Sequence, residues 1–418
     1  MENTLEYALT EDKNDTLAKF RDEFLLPQKN GTDAIYMCGN SLGLQPKSVK
    51  DILEQELEDW HNLGVEGHVH AKRPWVRYEE FLTKPLAKLA GAKESEVVAM
   101  NGLTVNLQLM LVSFYRPTKE KHKIVMEKGA FPSDQYALES HIKYHGFDPK
   151  ESLILIEAKA GALSVNNDDI LQLIAEQGDE IALIMMGGVN YYSGQVFDMK
   201  SITEAGHKKG CVVGFDLAHA IGNIELHLHD WNVDFAVWCS YKYLNGGPGA
   251  TGGCYVHEKH GNNPDIPRFA GWWGHEKSSR FTMPETFNPI KGAEGWQQSN
   301  VPVLSTAPLI ASLQQFEDAG FEKLIVKSKK LTAYYEFLLN QIEDDSFTII
   351  TPKTEKERGC QLSIRMHKNG KAIHEKINNQ GVIGDWREPD VIRIAPVPLY
   401  NTFEEAFRFV ELFKHALV

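Results

Sequence analysis

Cysteine is scarce in this chain. Five occur among 418 residues, Cys38, Cys211, Cys239, Cys254 and Cys360, an odd number with no C-x-x-C pair, so neither a disulfide framework nor a zinc knuckle is indicated. Three of the five lie in apolar runs, where a reduced thiol packs as a small hydrophobe. Long hydrophobic runs are missing as well: none could span a bilayer, and the stretch from Met1 to Asp15 is acidic and polar, unlike a secretory leader. We therefore expect a cytoplasmic protein. Basic residues are outnumbered, 44 Lys and Arg against 57 Asp and Glu, and scattered along the chain. That argues against nucleic acid or an anionic membrane as a partner, because neutralising phosphates takes clustered cations. Internal repeats and low-complexity tracts are absent too.

What is present is a globular composition, 42% hydrophobic and 24% charged, in a chain too long for one small core, so two or more packed units are expected. Residues 1–60 read as an N-terminal arm with a helix beginning near Pro46. Residues 61–318 read as a large α/β unit. Its β-like runs are Glu96 to Met100, Ile124 to Met126, Leu153 to Ile156, Ile181 to Met186, Cys211 to Phe215, Phe235 to Cys239 and Cys254 to His257. Helical patterns such as Val105 to Phe114 and Ile170 to Gln177 lie between several of them, which predicts a mainly parallel central sheet with helices on both faces. Residues 319–418 alternate helices and short strands as a smaller α+β C-terminal domain. Ligands of open parallel sheets sit beyond the carboxyl ends of the strands.

One apolar run ends in an unusual residue. From Val233 the chain continues through Trp238 and Tyr241 to Lys242 and then into a glycine-dense turn reaching Gly253. A lysine buried at a strand end carries a large desolvation penalty, which an imine to an aldehyde cofactor would remove. A surface hairpin would read the same way. Upstream, Cys211 to Asp216 is an apolar run ending in a carboxylate, with His219 three residues on. A carboxylate beside a pyridine nitrogen keeps it protonated; capping a following turn is the other use for such an Asp. The turn Asn101-Gly102 before Leu103 and Thr104 offers amide donors at a helix start, suited to a phosphate, with Thr104 as a plain N-cap the alternative. Phe131, in Ala130-Phe-Pro-Ser-Asp134, offers a ring that could stack on a pyridine face or fill a core.

In that order along the chain, phosphate turn, aromatic, D-x-x-H and S-Y-K resemble the fold-type I pyridoxal-phosphate enzymes, the aspartate aminotransferase superfamily. The resemblance narrows to the kynureninase family. It rests on Gly39-Asn-Ser-Leu-Gly-Leu-Gln-Pro46, Gly67-His68 with Lys72-Arg-Pro-Trp75, Leu103-Thr-Val-Asn106, Phe131-Pro-Ser-Asp134, Gly214-Phe-Asp-Leu-Ala-His219, Leu228-His-Asp-Trp231, Cys239-Ser-Tyr-Lys-Tyr-Leu-Asn245, Gly271-Trp-Trp-Gly-His275, Ser299-Asn300 and Arg393-Ile-Ala-Pro-Val-Pro-Leu-Tyr-Asn401.

The resemblance implies hydrolysis of L-kynurenine or its 3-hydroxy derivative to L-alanine and an anthranilate. It also implies pyridoxal 5'-phosphate as cofactor. Cofactor contacts would come from Leu103, Thr104, Phe131, Pro132, Ser133, Asp134, Gly187, Asp216, His219, Tyr241 and Lys242. Trp272 and Asn300 would come from the neighbouring subunit, making a homodimer with shared active sites. Lys242 would carry the cofactor and shuttle a proton, Asp216 would hold the ring protonated, and Tyr241 would be the acid. Arg393 would grip the substrate α-carboxylate with a bidentate fork. Asn40 and Ser41 would close over the substrate, and His68 with Asn300 would meet its aromatic end, leaning toward the 3-hydroxylated form.

In one place the chain departs from the family pattern, with Gly187 where a Ser often stands. The pairs His68-x-His70 and His227-x-His229 alternate as on a strand, but neither has an evident third ligand, and no metal is expected. The rival readings are a cysteine desulfurase, a small-substrate aminotransferase, or a non-catalytic relative that binds the cofactor. A desulfurase needs a mobile cysteine, and Cys360 begins a β-like run instead.

Overall fold

The computed structural model describes the chain from Met1 to Val418. Seven strands make the central sheet: β1 (Val97–Ala99), β2 (Lys123–Glu127), β3 (Leu153–Ile156), β4 (Ile181–Gly187), β5 (Val212–Asp216), β6 (Phe235–Trp238) and β7 (Gly253–Val256). Their spatial order is β1-β7-β6-β5-β4-β2-β3. The pairs from β6 to β3 are parallel, whereas β7 runs antiparallel to both of its neighbours. The reason lies between Trp238 and Gly253, a connection without a helix, and a parallel return needs a longer crossover.

Alternation along these strands divides the side chains between two cores. Val97, Val125, Ala236 and Trp238 face one; Val98, Ile124, Met126, Phe235 and Val237 face the other. The first core is closed by helices Glu80–Ala90, Met199–Lys208 and Val303–Ala319. The second is closed by Leu103–Phe114 and Pro132–Tyr144. Burial on both faces is why the strands read as continuous apolar runs, each fully buried Val, Leu or Ile contributing roughly 1.5–3 kcal/mol.

The small unit is an antiparallel sheet of β8 (Phe347–Ile349), β9 (Leu362–Met366), β10 (Asp385–Arg387) and β11 (Val391–Ile394), in the order β8-β9-β11-β10. Helices Phe321–Leu339, Gly370–Asn379 and Phe403–Leu417 pack on it. Residues 1–60 do not behave as one arm. Helix Leu5–Lys13 places Ala8 in the small unit's core along with Met37, and Ile35 and Tyr36 pair with Val382 and Ile383. Helix Val49–Leu63 instead packs against Val303–Ala319 in the large unit. It starts after Pro46, which is held in a short strand opposite Phe24.

Both histidine pairs differ from the strand expectation. His68 and His70 lie on the short helix Gly67–His70, and His227 and His229 lie in an irregular turn. The fold also gives His229 partners that its sequence neighbours lack. At the end of the sheet opposite the strands' carboxyl ends, His229 Nδ1 is 3.0 Å from Glu96 Oε1 and its ring stacks on His257 at 5.0 Å. Glu96 also accepts from the Lys93 and Glu258 amides, and His257 Nδ1 accepts from the Lys259 amide. These groups already satisfy one another and knit β1 to β7.

Candidate active site

The carboxyl ends of β2, β4, β5 and β6 open into one pocket. It is lined by Leu103, Thr104, Glu127, Phe131, Ser133, Asp134, Gly187, Tyr191, Asp216, His219, Tyr241 and Lys242, among others. The hairpin reading of Lys242 is correct in topology and incorrect in placement. The residue sits in the β6–β7 connection but is only partly exposed, with its Nζ 2.9 Å from His219 Nε2 and 5.9 Å from the Phe131 ring centre. Burial, then the Lys242 and Arg393 charges, push the His219 imidazole well below its ordinary pKa. The Nε2 of a neutral imidazole can accept a hydrogen bond from Lys242.

Asp216 ends β5 and caps the turn that follows it. One oxygen accepts the Ala218 amide at 2.6 Å, and the carboxyl faces the pocket in contact with Asp134. Both are buried. Two unscreened carboxylates in contact repel by ~4 kcal/mol even at an effective dielectric of 20, so the pair shares a proton. Burial raises both carboxyls; the Asp216 charge raises Asp134 further, while hydrogen bonds from Asp134 and the Ala218 amide favour the charged form of Asp216.

Gly102, not Thr104, caps the helix Leu103–Phe114, so Thr104 falls in its first turn with an exposed side chain. First-turn amides have no intrahelical acceptor, and here they border the pocket. Phe131 is half-exposed and makes an edge-to-face contact with Tyr191 at 5.5 Å, which turns it toward the pocket, not into a core. Pro132 and Ser133 begin the next helix.

Arg393, on β11, is 1% exposed. Its Nε and Nη2 both donate to Asp385, and its Nη1 donates to the Tyr191 carbonyl at 2.6 Å. Tyr191 thus joins the arginine to the pocket wall. The N-terminal loop lies alongside: the Gly43 amide donates to the Tyr241 carbonyl at 2.8 Å, and a Cβ on Gly43 would stand 2.5 Å from the Lys242 carbonyl. Only glycine permits that approach. Asn40, buried, donates to Gln361, which in turn donates to the Tyr191 carbonyl. Ser41 follows in the same turn.

Comparison with known proteins gives this arrangement a family. A model described as the kynureninase C-terminal domain matches residues 324–413. Over the full chain, a kynureninase of Flavobacterium psychrophilum is 53% identical, covering 100% of this chain and 99% of that one. The chain belongs to the kynureninase family. A kynureninase of Nematostella vectensis is 49% identical over 98% of this chain and 93% of its own. In structure, a cysteine desulfurase of Escherichia coli superposes with a TM-score of 0.77 at 17% identity, covering 96% of this chain and 98% of that one. At that identity the likeness concerns the fold.

Against the kynureninase pattern, the pocket fits a phosphorylated pyridine aldehyde. It has a helix start at one wall, an amine on Lys242, a flat ring on Phe131, and the Asp134–Asp216 pair at depth. Asp134 Oδ1 and His219 Nδ1 are buried with no partner, as donors or acceptors awaiting a ligand would be. Of the kynureninase-like positions, Asn40, Ser41, Pro132 and Arg393 lie outside the pocket lining, and His68, Trp272 and Asn300 are not brought to it within one chain and are exposed. His68 stacks edge-on to Trp75, on a loop that the buried Glu56 anchors through Arg73, Trp75 and Tyr78.

Glu127, Tyr191 and Asp385 were not singled out in the sequence. Nothing local marks them; only the neighbouring strands bring them to the site. Cys360 is buried and burial raises its thiol to about 12, which makes it unsuited to nucleophilic sulfur chemistry.

Proposed function

We propose that this chain is a kynureninase: a pyridoxal-5'-phosphate enzyme that hydrolyses L-kynurenine or 3-hydroxy-L-kynurenine to L-alanine and anthranilate or 3-hydroxyanthranilate. The observation that carries the reading is Lys242 set among His219, Phe131, Asp134 and Asp216 in a chain half identical, end to end, to kynureninases. Purified protein supplied with pyridoxal 5'-phosphate and kynurenine should release alanine and anthranilate in equal amounts. Alanine without anthranilate would reject the assignment. Competing the two substrates reads the preference, which His68 and Asn300 tilt toward the hydroxylated one.

When bound, pyridoxal 5'-phosphate draws electrons from the substrate carbons next to its amino group. The residues do the rest. Arg393, held by Asp385 and the Tyr191 carbonyl, keeps donors for the substrate α-carboxylate. Lys242 carries the proton at Cα, and Asp216 keeps the ring nitrogen protonated. Water adds to the γ-carbonyl, the Cβ–Cγ bond breaks with its electron pair on Cβ, and Tyr241 supplies a proton there. Burial, then its neighbours Cys239 and Asp216, raise the Tyr241 phenol above its ordinary value, so it holds its proton as an acid must. Tyr241→Phe should lower kcat on the order of 10²-fold or more while the cofactor's visible band persists. Retention of full kcat would remove Tyr241 from this role.

The active enzyme is a homodimer in the cytoplasm. In support, the expected site residues His68, Trp272 and Asn300 are exposed; Val69, next to His68 in the chain, is an exposed apolar residue, and Trp272 packs edge-on against the exposed Phe281, apolar exposure that a partner would cover. No helix is long and apolar enough to cross a membrane. If each site borrows Asn300 from the partner, mixing inactive Lys242→Ala and impaired Asn300→Ala subunits should restore up to about a quarter of the activity, in hybrid dimers with one intact site. No restoration after verified subunit exchange would count against shared sites.

A further inference from the structure

Glu127 ends β2, which lies between β4 and the edge strand β3, and its side chain points into the site and is 3% exposed. It has no cation beside it. Both of its oxygens accept the Gly187 amide, each at 3.2 Å. Gly187 is the residue of β4 that pairs with Asp216 of β5, and the next amide, Gly188, donates to the Asp216 carbonyl at 2.7 Å. Glu127 thus fastens the strand end that fastens Asp216. A Cβ on Gly187 would stand 2.9 Å from Glu127 Oε1, so the glycine that departs from the family pattern leaves the carboxyl room to sit there.

We propose that Glu127 is a positioning residue that, through the Gly187 amide, seats Asp216 against the cofactor's ring nitrogen. Burial, helped by the nearby Asp216 charge and opposed by the amide hydrogen bonds it accepts, raises the Glu127 carboxyl to about 7. Its hydrogen-bonding shape therefore matters more here than a fixed negative charge. Loosening it should weaken cofactor binding and slow the chemical step, while Arg393, on a different domain's strand, continues to hold the substrate.

The inference rests on the cofactor reading, and the two fail differently. If the unaltered chain holds no pyridoxal 5'-phosphate, that reading fails; if it does and Glu127 variants behave as the parent, this inference alone fails. The test compares Glu127→Ala and Glu127→Gln by cofactor affinity, visible absorbance, kcat and KM. Glu127→Ala is expected to lose about tenfold or more in both cofactor affinity and kcat with KM within about twofold, and Glu127→Gln, which keeps a carbonyl acceptor for the Gly187 amide, to recover most of both. A loss below about threefold in either quantity, or a Gln variant no better than Ala, overturns the proposal.

Should Glu127→Ala fail to fold, the cycle of Glu127→Gln with Gly187→Ser decides instead, since the serine Cβ presses on the same carboxyl. Their effects on cofactor affinity should be coupled; effects that simply multiply would overturn it.

Discussion

Lys242→Ala should release the cofactor from covalent attachment and reduce turnover by on the order of 10³-fold or more. Borohydride reduction followed by mass spectrometry should find the cofactor's mass on the parent protein and not on the variant. The size of the effect follows from Lys242 serving twice, as the anchoring amine and as the base at Cα. No neighbour can replace it. His219 is the nearest titratable group, 2.9 Å away, but its imidazole is pushed well below the ordinary range by burial and by the Lys242 and Arg393 charges, and it has no free amine to offer. Unchanged turnover in this variant would dispose of the mechanism.

Asp216→Asn is the second large effect. The amide keeps the shape and can still accept the Ala218 amide that the aspartate accepts, so the fold should survive. What disappears is the carboxyl of the buried Asp134–Asp216 pair that is proposed to face the ring nitrogen. A neutral partner cannot hold a proton on the ring nitrogen, and kcat should fall on the order of 10²- to 10⁴-fold, about 3–5 kcal/mol of barrier, with the cofactor still attached through Lys242. Single-turnover measurements would place the loss in the chemical steps. A kcat within about threefold of the parent would mean that Asp134, or no carboxylate, does this work.

The largely parallel sheet was legible because buried strands must be apolar on both sides, and their runs stand out from Glu96 to Val256. Lys242, Asp216 and Arg393 were legible for the opposite reason: each is a charge at the end of, or within, such a run, where burial without a purpose is expensive. The helix Glu80–Ala90 was hidden by Pro85 in its interior. The antiparallel β7 follows from the missing helix after Trp238, a signal present in the chain and easily passed over.

Glu127 shows the limit of such reading. A lone glutamate closing a short strand is ordinarily a solvated end, and it becomes a buried ligand of the Gly187 amide only because β2 lies inside the sheet. The same holds for Asp385, which reaches Arg393 across paired strands, and for Glu96, which meets His229 and His257 from distant parts of the chain.

The order of apolar runs, the lysine after Tyr241 and the family motifs were written in the linear chain, because periodicity and local chemistry act over a few residues. That two carboxyls lie together and must share a proton, which charges are paired, and that His68, Trp272 and Asn300 stay outside a single subunit's pocket were decided by tertiary structure alone. Electrostatic energies depend on separation and on exclusion of water, and neither exists until strands far apart in sequence lie side by side.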